Sequence, residues 1–185
     1  MTKIILGFTG PMASGKGICK KYLEEKYGAK GFRFSTIMRE ILERLNLEIN
    51  RLNMVNISTC LRQTFGEDLF AKTMAGDIKN SNEKLIVVEG IRRLADIEYL
   101  KKIPGFHLIS VDADIKIRHE RLVERNENVG DTEKTLEQFT RDHLEMETEI
   151  SIPSVMAEAE LNLNNDGSLD ELHKQIDLIM AKLNK

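Results

Sequence analysis

The sequence predicts an α/β fold in which a parallel sheet is covered by helices on both faces. Short apolar runs typical of buried strands alternate with helical segments along the chain. A glycine-rich turn separates the first of these strands from the first helix. The chain has 185 residues, and its prolines are scattered at positions 11, 104 and 153 rather than gathered in a linker. We therefore expect a single domain.

The first half of the chain is predicted to contain three strands and three helices. Apolar runs predict strands at residues 3–9, 30–34 and 84–89, and helical patterns cover residues 15–27, 37–47 and 55–79. We expect Gly66 to interrupt the last of these helices, because glycine weakens a helix interior.

The second half continues the alternation. It is predicted to contain a helix at 94–102, a strand at 106–112, a helix at 115–125, a polar loop at 126–132, a mostly helical stretch at 134–159 and a short strand at 161–164. Pro153 is expected near a break in the helical stretch. Ser168, followed three positions later by Glu171, forms a capping-box pattern that predicts the start of the last helix.

Composition argues against several classes of protein. Lys and Arg number 27 and Asp and Glu number 30, so the net charge of -3 is opposite to the basic excess of non-specific nucleic-acid binders. No run approaches the roughly 18 apolar residues of a membrane helix. Cys19 and Cys60 lack a metal or redox spacing, so we expect buried thiols in a reducing cytoplasm. A cytoplasmic monomer or homodimer without nucleic-acid or membrane partners is the expectation.

Residues 10–17, Gly-Pro-Met-Ala-Ser-Gly-Lys-Gly, match the pattern GxxxxGK between a predicted strand and a predicted helix. We call this segment the phosphate loop. Glycines allow backbone N–H groups to turn toward an anion, and the helix N-terminus adds partial positive charge. Lys16 supplies a mobile charge for the β- and γ-phosphates of a nucleotide.

The phosphate loop lacks one usual feature. Such loops commonly end in Ser or Thr, whose hydroxyl reaches Mg²⁺, whereas this chain has Gly17 followed by Ile18. The expected Mg²⁺ must then be held by the phosphates, by water and by a carboxylate from elsewhere. Ser14 precedes the lysine and is expected to help shape the loop.

Lys followed by Gly at the end of the loop resembles the adenylate-kinase version of the motif. From residue 3 to about residue 172, the chain resembles the nucleoside monophosphate kinases, and in particular nucleotide kinases related to dephospho-CoA kinase. The resemblance implies a three-layer P-loop fold with a five-stranded parallel sheet, ATP as phosphate donor and a small phosphorylated acceptor. It also implies a core at residues 1–34, 80–120 and 159–185, an acceptor-binding region at about 35–79 and a mobile lid at about 121–141.

The resemblance also suggests acceptor-side residues. Arg39, in Phe-Ser-Thr-Ile-Met-Arg, falls where adenylate kinases place an arginine on the acceptor phosphate, and Thr36 stands where related proteins have an acid. In Val-Val-Glu-Gly-Ile-Arg-Arg, Glu89 corresponds to the carboxylate that acts on Mg²⁺ through water. Arg92, favoured over its neighbour Arg93, would face the acceptor. From charge placement we add Arg62, for which a structural ion pair with Glu67 or Asp68 is an equally good interpretation.

Further arginines resemble those of an adenylate-kinase lid. Arg121 and Arg125 lie four apart before the polar loop, where the resemblance implies stacking on adenine and a phosphate contact. Arg118 is a weaker candidate, and Arg141 resembles the arginine at the lid exit. The predicted catalytic residues are Lys16, Arg92, Arg125 and Arg141. The predicted ATP-binding residues are Gly10, Ala13, Ser14, Gly15, Lys16, Gly17, Ile18, Arg121 and Asn165, the last in the turn beside adenine.

Three functions remain open from the sequence. The first is a kinase acting on nucleoside or deoxynucleoside monophosphates. The second is a dephospho-CoA kinase, whose hydroxyl acceptor benefits from a carboxylate base, although Ser35 and Thr36 leave none in the acceptor segment. The third is a nucleotide-binding switch without catalysis, an alternative that the absent loop hydroxyl at Gly17 keeps open.

Overall fold

One parallel sheet forms the centre of the protein. The computed structural model describes residues 3–125 and 131–184. The strands are β1 (Ile4–Thr9), β2 (Lys30–Arg33), β3 (Leu85–Ile91), β4 (Phe106–Asp112) and β5 (Leu161–Asn164). They pair in the order β2-β3-β1-β4-β5, and every pairing is parallel. The predicted five-stranded parallel sheet is confirmed.

Helices connect the strands. Those of the described residues are α1 (Lys16–Tyr27), α2 (Phe34–Arg44), α3 (Arg51–Phe65), α4 (Leu69–Asn80), α5 (Leu94–Ile97), α6 (Ile115–Arg125), α7 (Leu136–Glu145), α8 (Glu147–Ile150), α9 (Ile152–Met156) and α10 (Leu169–Leu183). In these parts of the chain, no helix combines the length and the apolar character needed to cross a membrane. The predicted capping box of Ser168 and Glu171 begins α10.

The core has two layers because successive residues of a strand point to opposite faces of the sheet. On one face, Ile5, Val88 and Leu108 belong to a buried cluster with side chains of α4 and α5. On the other face, Leu6 and Val87 belong to a buried cluster with side chains of α1 and α10. Apolar residues therefore occupy both odd- and even-numbered positions of the central strands. Both faces of the sheet are covered by helices as a result, which gives three layers.

Two local predictions differ from the structure. The predicted helix at 94–102 is divided into α5 and a 3₁₀ turn at Leu100–Lys102. Pro153 lies near a break as predicted, in the first turn of α9 just after the interruption at Ser151, where the missing N–H of proline needs no partner. Cys60 is exposed, whereas Cys19 is buried as predicted. Cys60 lies on α3, which packs against α2 and α4 rather than the sheet, so much of α3 remains accessible.

Asp96 links Arg62 of α3 to the backbone at the end of β3. Its Oδ1 accepts a hydrogen bond from Nη2 of Arg62 at 2.7 Å, and its Oδ2 accepts from the backbone N–H groups of Arg92 and Arg93, each at 3.0 Å. The side chains of Arg62 and Asp96 are only 6% and 3% exposed. This buried ion pair therefore fixes the backbone of Arg92 and the start of α5.

Breaking this pair is expected to destabilise the fold strongly. Asp96→Asn leaves the buried guanidinium of Arg62 without its counter-charge, so the free energy of unfolding should fall by about 3 kcal/mol. Urea denaturation followed by circular dichroism measures the change. Glu98→Gln is the matched control, because Glu98 is 53% exposed and pairs only along the helix surface with Lys102. A loss of less than about 1 kcal/mol for Asp96→Asn would contradict the structural role of the pair.

Candidate active site

The phosphate loop begins where β1 ends, at the carboxyl edge of the sheet. Its backbone takes positive φ angles at Gly10 (146°), Ala13 (60°) and Gly15 (107°). A Cβ on Gly10 would lie 2.1 Å from the carbonyl oxygen of Val111, and one on Gly15 would lie 2.1 Å from Nδ2 of Asn165. Both glycines are therefore required by backbone angle and by space.

Lys16 begins α1 and is buried, with 8% of its area exposed. Its Nζ donates to the carbonyl oxygens of Gly10 and Pro11, both at 2.7 Å, and lies 3.4 Å from Oγ of Ser14. Burial first, and then the charge of Arg92, lower the pKa of Lys16 to about 7, although nearby carboxylates oppose the shift. A phosphate beside Nζ would favour the charged amine, so the loop holds a lysine suited to an anion.

Asn165 supports the phosphate loop from the turn after β5. Its Nδ2 donates to the carbonyl oxygen of Ser14 at 2.8 Å, and its backbone N–H donates to Asp112 at 2.8 Å. Its Oδ1 is buried without a hydrogen-bond partner among the described residues. The contact with adenine stays a prediction. Gly17 and Ile18 lie in the first turn of α1.

Arg92, at the carboxyl end of β3, is linked to the phosphate loop by the carboxylate of Glu149, a residue that was not among the sequence predictions. Nη1 of Arg92 donates to Oε1 of Glu149 at 2.8 Å, and the backbone N–H of Met12 donates to Oε2 of Glu149 at 2.9 Å. Arg93 instead pairs with Glu67 at 3.0 Å. Of the two neighbouring arginines, the favoured Arg92 is thus the one placed beside the loop.

Glu149 lies on α8 and its side chain is only 1% exposed. Nδ1 of His143 is 3.7 Å from its Oε2. Arg118, also buried, donates from Nε to the carbonyl oxygen of Ala113 at 2.9 Å and from Nη1 to that of Met12 at 3.4 Å. Met12 is therefore held through its N–H by Glu149 and through its carbonyl by Arg118.

The acceptor-side predictions divide into two groups. Thr36 and Arg39 are exposed on α2. Arg62 is buried in the ion pair with Asp96, so its charge is already compensated within the fold. The alternative interpretation of a structural ion pair with Glu67 agrees with the structure, because Nη1 of Arg62 lies 3.9 Å from Oε2 of Glu67, and Asp96 is the closer partner.

The predicted lid arginines lie on two helices, α6 and α7. Residues 126–130 of the predicted loop lie outside the described residues. Arg121, on α6, is half-buried, and its Nη1 lacks a hydrogen-bond partner in the described parts of the chain. Arg125 is exposed at the end of the same helix, and Arg141 on α7 is 59% exposed and 3.5 Å from Glu137. Their phosphate contacts stay predictions that require closure of the lid.

The surroundings of Glu89 suit the metal site that the sequence predicts. Oε1 of Glu89 would lie 3.9 Å from a Cβ placed on Gly17, so the carboxylate reaches the position of the absent loop hydroxyl. Within residues 3–125 and 131–184, no three His, Cys, Asp or Glu side chains gather around a possible metal position. These groups fit a Mg²⁺ ion held mainly by nucleotide phosphates and water.

Known proteins of similar sequence and structure agree with this geometry. The family profile described as AAA domain matches residues 9–140. A UPF0200 protein from Sulfurisphaera tokodaii is 30% identical over 179 residues, which cover 97% of each chain. A shikimate kinase from Bacteroides thetaiotaomicron superposes with a TM-score of 0.65 at 13% identity, covering 98% of this chain and 99% of that one. A gluconokinase from Sinorhizobium meliloti 1021 superposes with a TM-score of 0.59 at 11% identity, covering 98% of this chain and 93% of that one.

At such low identity the two solved structures establish a shared fold, which confirms the predicted P-loop kinase architecture. The family profile covers most of the chain, and the UPF0200 relative covers nearly all of it. The chain therefore belongs to the UPF0200 family and to the AAA domain family, with a P-loop nucleotide kinase-like fold.

Proposed function

We propose that the protein is an ATP-dependent phosphotransferase that moves the γ-phosphate of ATP to a small phosphate-bearing acceptor, in the first place a nucleoside or deoxynucleoside monophosphate. The observation that carries the proposal is the position of the Glu149 carboxylate. Its oxygens accept hydrogen bonds from the loop N–H of Met12 and from Arg92. The space between the donor loop and the acceptor-side arginine thus already accommodates an oxyanion, the chemistry that phosphate shares.

The donor side follows from the loop. Backbone N–H groups and the start of α1 bind the β- and γ-phosphates of ATP. Lys16 turns its Nζ from the carbonyl oxygens of Gly10 and Pro11 to the phosphate oxygens. Arg121 and Asn165 are proposed to contact the adenine end, because each has an inward polar atom without a partner among the described residues.

The acceptor side begins at the end of β3. Arg92 has its backbone held by Asp96 and by Ser151, whose Oγ donates to the carbonyl oxygen of Arg92 at 2.7 Å. The guanidinium is then placed for two hydrogen bonds to an acceptor phosphate. Arg39 is proposed as a second contact from α2.

Transfer requires positioning and charge neutralisation rather than a covalent protein intermediate. The acceptor phosphate oxygen forms a bond to the γ-phosphorus while the bond to the β–γ bridging oxygen breaks and ADP leaves. A bound Mg²⁺ would supply further neutralisation of the phosphate charge, with Glu89 acting through water. Arg125 and Arg141 are proposed to enclose the transferring group when the lid closes and excludes water.

Transfer to a hydroxyl group, as in a dephospho-CoA kinase, is the second candidate. A specific observation favours it: a buried carboxylate, that of Glu149, lies beside the loop. A carboxylate in that position can take the proton of a hydroxyl acceptor. The acceptor segment itself offers only Ser35 and Thr36.

An ADP-release assay with a panel of acceptors tests the proposed function. The panel contains nucleoside monophosphates, the matching neutral nucleosides, dephospho-CoA and a reaction without acceptor. We expect at least one monophosphate to be used about tenfold faster than its nucleoside, because only the phosphate gains charge-assisted hydrogen bonds from arginine. Equal rates for the two would contradict a phosphate-bearing acceptor. ADP release no faster than background with every acceptor would indicate a nucleotide-binding switch without catalysis.

Lys16→Met is expected to lower turnover by at least about a hundredfold, because it removes charge stabilisation from the transferring phosphoryl group. The melting temperature should be retained, since the buried amine is desolvated in the folded protein. Lys21→Met, on the exposed side of α1, is the matched control. Retention of more than about a tenth of wild-type turnover would exclude the proposed role of Lys16.

Glu89→Gln is expected to raise the Mg²⁺ concentration needed for half-maximal turnover while leaving ATP affinity nearly unchanged. Gly17→Ser is expected to lower it, because the added side chain makes only an ordinary contact with Glu89 and brings a hydroxyl to the usual metal position. Magnesium titrations of initial rates measure both effects, with Glu83→Gln before β3 as control. Superimposable titrations for wild type and Glu89→Gln would refute a metal-positioning role.

A further inference from the structure

The phosphate loop and α8 are joined by a contact that the proposed reaction cannot retain. Glu149 lies 137 positions from Met12 in sequence, yet its Oε2 accepts the loop N–H at 2.9 Å. The same carboxylate accepts from Arg92 through its other oxygen. The carboxylate of Glu149 therefore occupies two hydrogen-bond donors, Met12 N–H and Arg92, that the proposed function assigns to phosphate.

The charges around this carboxylate are arranged for an anion. Lys16, Arg92 and Arg118 each interact electrostatically with Glu149 or bond to it. The side chain of Glu149 is almost fully buried, and a buried carboxylate is stable only when its oxygens are hydrogen-bonded and its charge is balanced. Both conditions are met by donors that bind phosphate equally well.

We propose that Met12 N–H and Arg92 form an oxyanion site which the carboxylate of Glu149 fills, and that a substrate phosphate replaces this carboxylate when substrate binds. This inference rests on the proposed function, because that function supplies the phosphate. The single N–H of Met12 cannot donate to two oxyanions at hydrogen-bond distance, and two oxyanions brought together beside Arg92 repel each other by their like charges. Glu149 is thus an internal competitor of the substrate.

Replacement of the Glu149 carboxylate by phosphate couples substrate binding to the predicted lid. Glu149 follows α7, the helix on the exit side of the predicted lid, and His143 of α7 lies 3.7 Å from its Oε2. Release of the carboxylate removes the contact between this segment and the phosphate loop. Entry of phosphate therefore frees α7 and α8 to take a new position, and departure of product allows Glu149 to return.

Calorimetric titration of β,γ-imido-ATP without acceptor tests the replacement. Glu149→Gln keeps the shape of the side chain and removes its charge, so affinity should rise roughly tenfold, the order expected when a charge-assisted hydrogen bond no longer has to be broken. Glu145→Gln, which removes an exposed carboxylate of α7, should leave affinity unchanged.

Two outcomes would overturn the proposal. Equal affinity of wild type and Glu149→Gln for β,γ-imido-ATP would show that the carboxylate does not compete. A loss of turnover of about a hundredfold with unchanged affinity would instead identify Glu149 as a proton acceptor for a hydroxyl substrate. Wild type labelled with ¹⁵N-methionine gives an independent result that needs no folded variant. The Met12 amide signal should shift on saturation with β,γ-imido-ATP, and an unchanged signal would contradict replacement.

The experiments test the replacement of Glu149 by phosphate and the proposed phosphotransferase function independently of each other. If no acceptor in the panel is phosphorylated but Glu149→Gln binds β,γ-imido-ATP more tightly, the oxyanion site stands and the phosphotransferase function fails. If a monophosphate is phosphorylated while both proteins bind the analogue equally, the function stands and the replacement fails.

Discussion

The carboxyl edge of the sheet is organised by the need to balance buried positive charge around the phosphate loop. Lys16 and Arg118 are 8% and 4% exposed, and the phosphate loop adds the backbone N–H of Met12, which donates to a carboxylate. Charges buried in this way destabilise a fold by several kcal/mol unless a counter-charge lies close to them. Glu149, only 1% exposed, supplies that counter-charge between Met12 and Arg92.

The strand order explains how distant parts of the chain meet at this point. Because β1 lies between β3 and β4, the loop that follows β1 is flanked on one side by the end of β3 and on the other by the end of β4. The β3 side brings Glu89 and Arg92, and the β4 side leads into α6 with Arg118. The segment after α7 then brings Glu149 to the phosphate loop. The proposed replacement of Glu149 by phosphate would therefore act on the elements on both sides of the predicted lid.

Local features of the sequence were sufficient to predict the sheet and the phosphate loop, whereas Arg92 was favoured on a family resemblance and its contact with an acceptor stays a prediction. Each strand and the phosphate loop consist of consecutive residues, so apolar runs mark the strands and glycines mark the loop. The structure requires these glycines because of their backbone angles and the space around them. Glu149 could not be predicted, because it stands among other acids in a stretch that reads as a solvated helix, far from its partner in sequence. The partner of Arg62 was missed for the same reason: Asp96 is 34 residues away and had no pattern to mark it. Glu149 and Asp96 differ from other acidic residues by their partners in the folded protein, which residue type alone does not reveal.

A crystal structure of the protein with a bisubstrate analogue, in which phosphates link two nucleosides, would show directly whether phosphate replaces Glu149. We predict that Nζ of Lys16 leaves the carbonyl oxygens of Gly10 and Pro11 for the linking phosphates. We also predict that Arg92 and Met12 N–H bind phosphate oxygens and that the Glu149 carboxylate lies outside hydrogen-bond distance of both. A bound analogue with Glu149 still on Met12 N–H and Arg92 would contradict the replacement.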